Sequence, residues 1–145
     1  MDLLREKGFT PLRVILAFSV LSTAFHYWHM VVRPRDYPPI NGVPEVAGQI
    51  AIGAGWVVFT VVAILGYRAY LRERYRRALT LLLVHSLSGV ATAGHFLVGI
   101  PWLPQVWLIP LVGDVVAAVL VWSFVVWAWS VLNRVSARDQ ISTQH

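Results

Sequence analysis

Four side chains of this sequence are of types that bind metal ions or carry protons, and they fall in runs otherwise apolar: His26, His29, His95 and Asp114. His26 and His29 stand three apart in FHYWHMVV, a spacing that turns two imidazoles to one side of a helix. Neutral imidazole is the commonest transition-metal ligand. Three imidazoles with one carboxylate suit zinc, iron or copper better than magnesium or calcium. With Asp114 as a ligand or as a ligand's hydrogen-bond partner, an open coordination position would permit Lewis-acid or redox chemistry on an apolar substrate arriving from lipid. The chain has no cysteine, which excludes disulfides, thiolate metal sites, iron–sulfur clusters and thiol catalysis.

Other chemistries fit the same residues. His29 and His95, on different helices, could hold haem b as axial ligands. Asp114, His26 and His85 could instead relay protons or ions without a cofactor. An uncompensated charge at the centre of a span costs about 2.5–3.5 kcal/mol, so Asp114 needs a partner or a proton. The remaining alternative is a cofactor-free structural or accessory subunit of a membrane complex, held by interhelical hydrogen bonds, with His85 bonded to Ser19 or Ser22. The sequence contains no HExxH, no CxxCH, no nucleotide-binding glycine loop and no serine nucleophile elbow, so enzymatic activity stays open.

Apolar runs must position these residues. Of the 145 residues, 57% are hydrophobic and 13% charged, with a mean hydropathy of +0.63. Soluble domains hold roughly 45–50% apolar and about 25% charged residues, so the solvent here is lipid. A hydrocarbon core of about 30 Å takes about 20 residues at a rise of about 1.5 Å, and residues 11–32, 46–66, 78–99 and 107–131 meet that length. The expected fold is an all-α, integral-membrane four-helix bundle forming a single domain over residues 1–145. Thr10-Pro11 is expected to open the first helix, the hydroxyl as cap and the proline in the first turn. Pro101, Pro104 and Pro110 are expected to bend or separate the first turns of the fourth. The first run is too long for the roughly 7–15-residue core of a signal peptide and is expected to stay in the mature protein.

Charge sets the orientation. Arg5, Lys7 and Arg13 flank the first run, Arg68, Arg72, Arg74, Arg76 and Arg77 fill the second connection, and Arg134 and Arg138 follow the fourth run. The other two connections hold only Arg33 and Arg35. The positive-inside rule therefore puts both termini in the cytoplasm of a multi-pass protein, expected in the cell membrane. The net charge of +5 reads as orientation and lipid contact rather than nucleic-acid binding. The inner YRAYLRERYRRA is expected to continue as helix, pairing Glu73 with Arg77 four residues on. The proline-rich outer RPRDYPPINGVPE is expected to be a stiff cover.

At 100° per residue, Ser19, Ser22, His26, His29 and Arg33 fall within about 80° of arc, an inward polar stripe. His85, Ser88, Gly89, Thr92 and, at one edge, His95 share a side of the third run. Ala47, Ala51 and Gly55 have the spacing that brings helices close, and Ala117 and Ala118 back Asp114. Counted from the span midpoints, His29 and His95 lie about 10 Å toward the outer side and His26 and Asp114 about 5 Å, whereas His85 is on the inner side, roughly 15 Å of helix from His95. The expected site is therefore His26, His29, His95 and Asp114, without His85. Its expected partners are membrane lipids and, for any transport path, further copies of the chain or a larger membrane complex.

Overall fold

The computed structural model describes residues 2–37, 42–93 and 105–142; His95 lies outside them, as do Pro101, Trp102 and Pro104. Among the described residues the fold is all-α: α1 (Asp2–Val32), a 3-10 turn (Pro34–Asp36), α2 (Glu45–Leu71), α3 (Tyr75–Ala93) and α4 (Gln105–Ser142). Segments Leu3–Val32, Glu45–Leu71 and Leu108–Ala137 are long and apolar enough to cross a membrane. α1 packs on α4, α4 on α3, α3 on α2 and, less extensively, α2 on α1, while α1 and α3 scarcely touch. The helices thus form a ring of four.

Several helix ends differ from the sequence expectation. α1 runs unbroken from Asp2, with Pro11 inside it rather than at its start. Leu4, Gly8 and Leu12 share one face by the i, i+4, i+8 rule, and packing fixes these turns despite the hydrogen bond that Pro11 cannot donate. Leu4 and Leu12 are buried, and Gly8 lies so close to the Tyr70 hydroxyl that a Cβ would overlap it. Tyr70 also donates its hydroxyl to the Leu4 carbonyl. α4 is likewise one continuous helix through Pro110.

The connection between α2 and α3 is a tight turn instead of helix. Arg74 N–H donates to the Ala69 carbonyl (2.9 Å) and Glu73 N–H to that of Tyr70 (3.0 Å). These two bonds make a Schellman motif, with Glu73 in the left-handed position usually held by glycine, φ 58°. Tyr70 and Tyr75 close the turn from inside, their rings edge to face at 5.0 Å. Glu73 consequently lies 3.9 Å from Arg5 and does not pair with Arg77.

The bundle is divided lengthwise. The end holding the start of α1 and the finish of α4 has an apolar core that includes Leu12, Leu79, Leu82, Val121 and Phe124. The other half buries Ser19, Ser22, Thr23, His26, His29, Ser88, Thr92 and Asp114. The stripe read on α1 is inward as expected except for Arg33, which is exposed at the helix end. The small residues Ala47, Ala51 and Gly55 of α2 do not mediate the close packing expected of them. Ala47 and Ala51 are exposed, and a Cβ on Gly55 would meet nothing within 4 Å. Close approach is made instead at Gly89, where an added Cβ would overlap the Asp114 carbonyl oxygen and lie 3.1 Å from Ala118 Cβ.

Candidate functional site

The polar half is organised around one pair. His26 Nδ1 donates to Asp114 Oδ2 across 2.7 Å, from α1 to α4, with side-chain exposures of 1% and 0%. Thr92 of α3 closes the group, its hydroxyl 3.2 Å from the same Oδ2, 3.3 Å from His26 Nδ1 and 3.2 Å from the Ser88 carbonyl oxygen. Three helices therefore meet on one carboxylate oxygen. The other oxygen, Oδ1, is buried with no hydrogen-bond partner among the described residues. A buried acceptor without a bond costs about 1–3 kcal/mol and more when charged.

Local packing makes the pair possible. Gly89 lets α3 approach the Asp114 backbone, and Gly113 lets α1 approach α4, since a Cβ there would lie 2.6 Å from Ser22 Oγ. Ser22 in turn donates to the carbonyl oxygen of Pro110 (3.0 Å). The Pro110 carbonyl of α4 is thus engaged from α1.

His29 does not join the carboxylate directly. Its Nδ1 shares a 2.9 Å hydrogen bond with the Tyr37 hydroxyl, and its Nε2 lies 3.9 Å from Asp36 Oδ2. Tyr37, folded back by the 3-10 turn, is only 7% exposed. Its ring stands between the two histidines, 6.1 Å from that of His26 and 5.7 Å from that of His29 between centroids. Burial, with the charges of Asp36 and Asp114, pushes the Tyr37 phenol up to about 12. Sequence reasoning missed Tyr37 as a site residue. RPRDYPP was read as a stiff cover, but the tyrosine eight residues after His29 is the one aromatic hydroxyl in that stretch able to fold back onto the helix end.

His85 stands apart, as its depth implied. Its Nε2 is 2.9 Å from Ser19 Oγ, and its Nδ1 donates to the Phe59 carbonyl oxygen (3.1 Å). Both nitrogens are occupied by ordinary hydrogen bonds, so this histidine ties α1, α2 and α3 together. The expected four-residue site is thus only partly brought together. His26 and Asp114 are bonded, His29 is joined to them through Tyr37, and His95 lies outside the described residues. Among the described residues no group of three or more His, Asp or Glu side chains is positioned to hold a metal ion, so neither a metal site nor a histidine cluster is supported.

An open apolar groove of about 560 Å³ runs between α1 and α2 beside this site, lined by Phe25, Tyr27, Trp28, Val31 and Trp56 among others. Tyr27 belongs to both regions, its ring edge-on to His26 at 5.4 Å. Comparison of the chain with protein-family models, curated proteins and solved structures gives no match.

Proposed function

We propose that this is a multi-pass membrane protein whose His26–Asp114 pair is an intramembrane acid–base centre, exchanging a proton with one membrane surface through Tyr37, His29 and Asp36. The observation that carries the reading is the 2.7 Å bond between two titratable groups buried to 1% and 0% exposure. With one proton between them the carboxylate and the neutral imidazole form a net anion, and a second proton brings the pair to net neutrality, so proton uptake removes a charge from the apolar interior. From Asp114, polar groups lead outward through His26, Tyr37 and His29 to Asp36, whose side chain is 34% exposed. Asp114 Oδ1, without a hydrogen-bond partner among the described residues, is the acceptor at the buried end. The arginine-rich end of the bundle is taken as cytoplasmic, so the path opens on the opposite face.

Infrared difference spectroscopy of the protein in lipid, with the pH stepped, tests this. A carboxylic-acid C=O band that varies with pH, vanishes in Asp114→Asn and shifts in His26→Gln is expected. A spectrum in which Asp114→Asn changes no pH-dependent band would overturn the proposal.

A second reading is a metal or haem centre, favoured by one detail. An imidazole whose Nδ1 is held by a carboxylate is the arrangement that aims Nε2 at a metal and raises its basicity. Here His26, His29, His95 and Asp114 would supply zinc, iron or copper ligands, or His29 and His95 the haem axial pair. Elemental analysis and an absorption spectrum of untagged, detergent-purified protein separate the readings. Near-stoichiometric metal or haem, lost in His26→Ala or His29→Ala but retained in His85→Ala, would replace the proton reading. Neither a pH-dependent carboxyl nor a bound metal would leave a structural or accessory subunit.

A further inference from the structure

The opposite end of the bundle carries a second polar feature, independent of the acid–base pair. A cavity of about 510 Å³ opens between the α2–α3 turn and the last turns of α4. Arg74, Arg76 and Arg77 line one side, and Leu132, Val135 and Ser136 of α4 line the other. Among the described residues no carboxylate lies within 4 Å of these three guanidinium groups. Glu73 also lines the cavity but faces Arg5 at 3.9 Å. Three guanidinium groups against the single carboxylate of Glu73 leave an excess of positive charge around this concavity among the described side chains, which favours an anion.

The apolar wall chooses the kind of anion. A soluble phosphate has no use for Leu132 and Val135, whereas a phospholipid brings a phosphodiester for the arginines and the first methylenes of its chains for the leucine and valine. The cavity also sits where α2 and α4, two membrane-length helices, end, which is headgroup depth. Guanidinium groups engage phosphate oxygens in pairs, and the first turn of α3, residues 75–77, adds the positive end of its backbone dipole. We infer that this cavity is a binding site for the headgroup of an anionic phospholipid, with Arg74, Arg76 and Arg77 on the phosphate. The tight turn at residues 72–74 presents them.

The test uses the full chain in detergent, titrated with short-chain phosphatidylglycerol, with phosphatidylcholine of the same chain length, and with inorganic phosphate, with bound species counted by native mass spectrometry. Phosphatidylglycerol is expected to bind at least about tenfold more tightly than phosphatidylcholine. That preference should disappear in the Arg74→Gln/Arg76→Gln/Arg77→Gln variant and persist in Arg68→Gln/Arg72→Gln, whose arginines belong to the same segment but not to the cavity. Equal binding of the two lipids, or equal loss in the two variants, would overturn the site. Inorganic phosphate competing as well as phosphatidylglycerol would assign the cavity to a soluble anion and overturn the lipid. The three arginines are exposed, so the variant is expected to fold; thermal unfolding checks this, and the single variants Arg76→Gln and Arg77→Gln, each with a partial loss, carry the test if it does not.

Discussion

His26 and Asp114 are 88 positions apart in sequence and 2.7 Å apart in space, and no other side-chain pair joins α1 to α4 through two titratable groups among the described residues. Breaking such a pair by removing one member leaves the other buried without its partner, at a cost of about 3–5 kcal/mol. Asp114→Ala and His26→Ala should each destabilise the protein by about that much, and the double variant by clearly less than the sum, with a coupling of about 1–3 kcal/mol. Unfolding in mixed micelles measures all four members of the cycle. Additive losses would mean that the two groups do not act together.

Packing around the pair depends on the missing Cβ atoms of Gly89 and Gly113. Gly89→Ala should destabilise by about 1–3 kcal/mol, because α3 must move off the Asp114 backbone and Ala118. Gly55→Ala is the control. With nothing within 4 Å of its added Cβ, it should gain about 0.5–1 kcal/mol from helix propensity alone. Thermal unfolding of the two variants in the same detergent decides, and effects of the same sign would contradict the packing described.

The turn between α2 and α3 holds a non-glycine residue at φ 58°. Left-handed backbone costs an ordinary residue about 1–2 kcal/mol and glycine very little. Glu73→Gly is therefore expected to stabilise by about 1 kcal/mol, the exposed pair with Arg5 contributing little against it. Glu73→Gln, which keeps the strain, should show no such gain. Unfolding midpoints of the two variants test the assignment.

Alkaline pH should loosen the cover. The Tyr37 phenol ionises near 10 when the chain is unfolded and about 12 when folded. Its contribution to stability is thus fully present below about pH 10 and lost as the pH rises toward about 12. Tyr37→Phe cannot ionise and should flatten that part of the stability curve, while losing the hydrogen bond to His29 at neutral pH. Stability measured across this window for both proteins reads the difference.

Three of the four expected spans and the inward stripe were legible because lipid enforces a simple rule: apolar length makes a helix, and polar groups must find each other inside. The span expected over 78–99 is described as a helix only to Ala93 and, over those residues, is not among those apolar enough to cross. Ser19, Ser22, His26, His29, His85 and Asp114 followed the rule, and His85 bonds Ser19, one of the two serines expected to receive it. Helix ends were less legible. Hydropathy marks where lipid stops, and α1 continues past that limit because Leu4, Gly8 and Leu12 have a packing surface in Tyr70 that no local pattern reveals. The turn at Glu73 was illegible for a related reason, since YRAYLRERYRRA has good helix propensity and the reversal is imposed by Tyr70 and Tyr75 burying against each other. Tyr37 was hidden because its role depends on a chain reversal after His29 and not on helical spacing.

The three-residue turn also bears on how α3 is held in the bundle. α2 has an 18-residue window of mean hydropathy 2.1, whereas α3, with His85, Ser86, Ser88 and Thr92 along it, is not among the helices apolar enough to cross by themselves. Tied at residues 72–74, the two form a hairpin in which the more polar helix is held against a longer apolar one. Most of the polar side chains of α3 are satisfied within the helix or by its neighbours: Ser86 and Ser88 bond carbonyls of their own helix, and His85 bonds Ser19 of α1 and Phe59 of α2, which leaves Thr92 as the member that turns to Asp114.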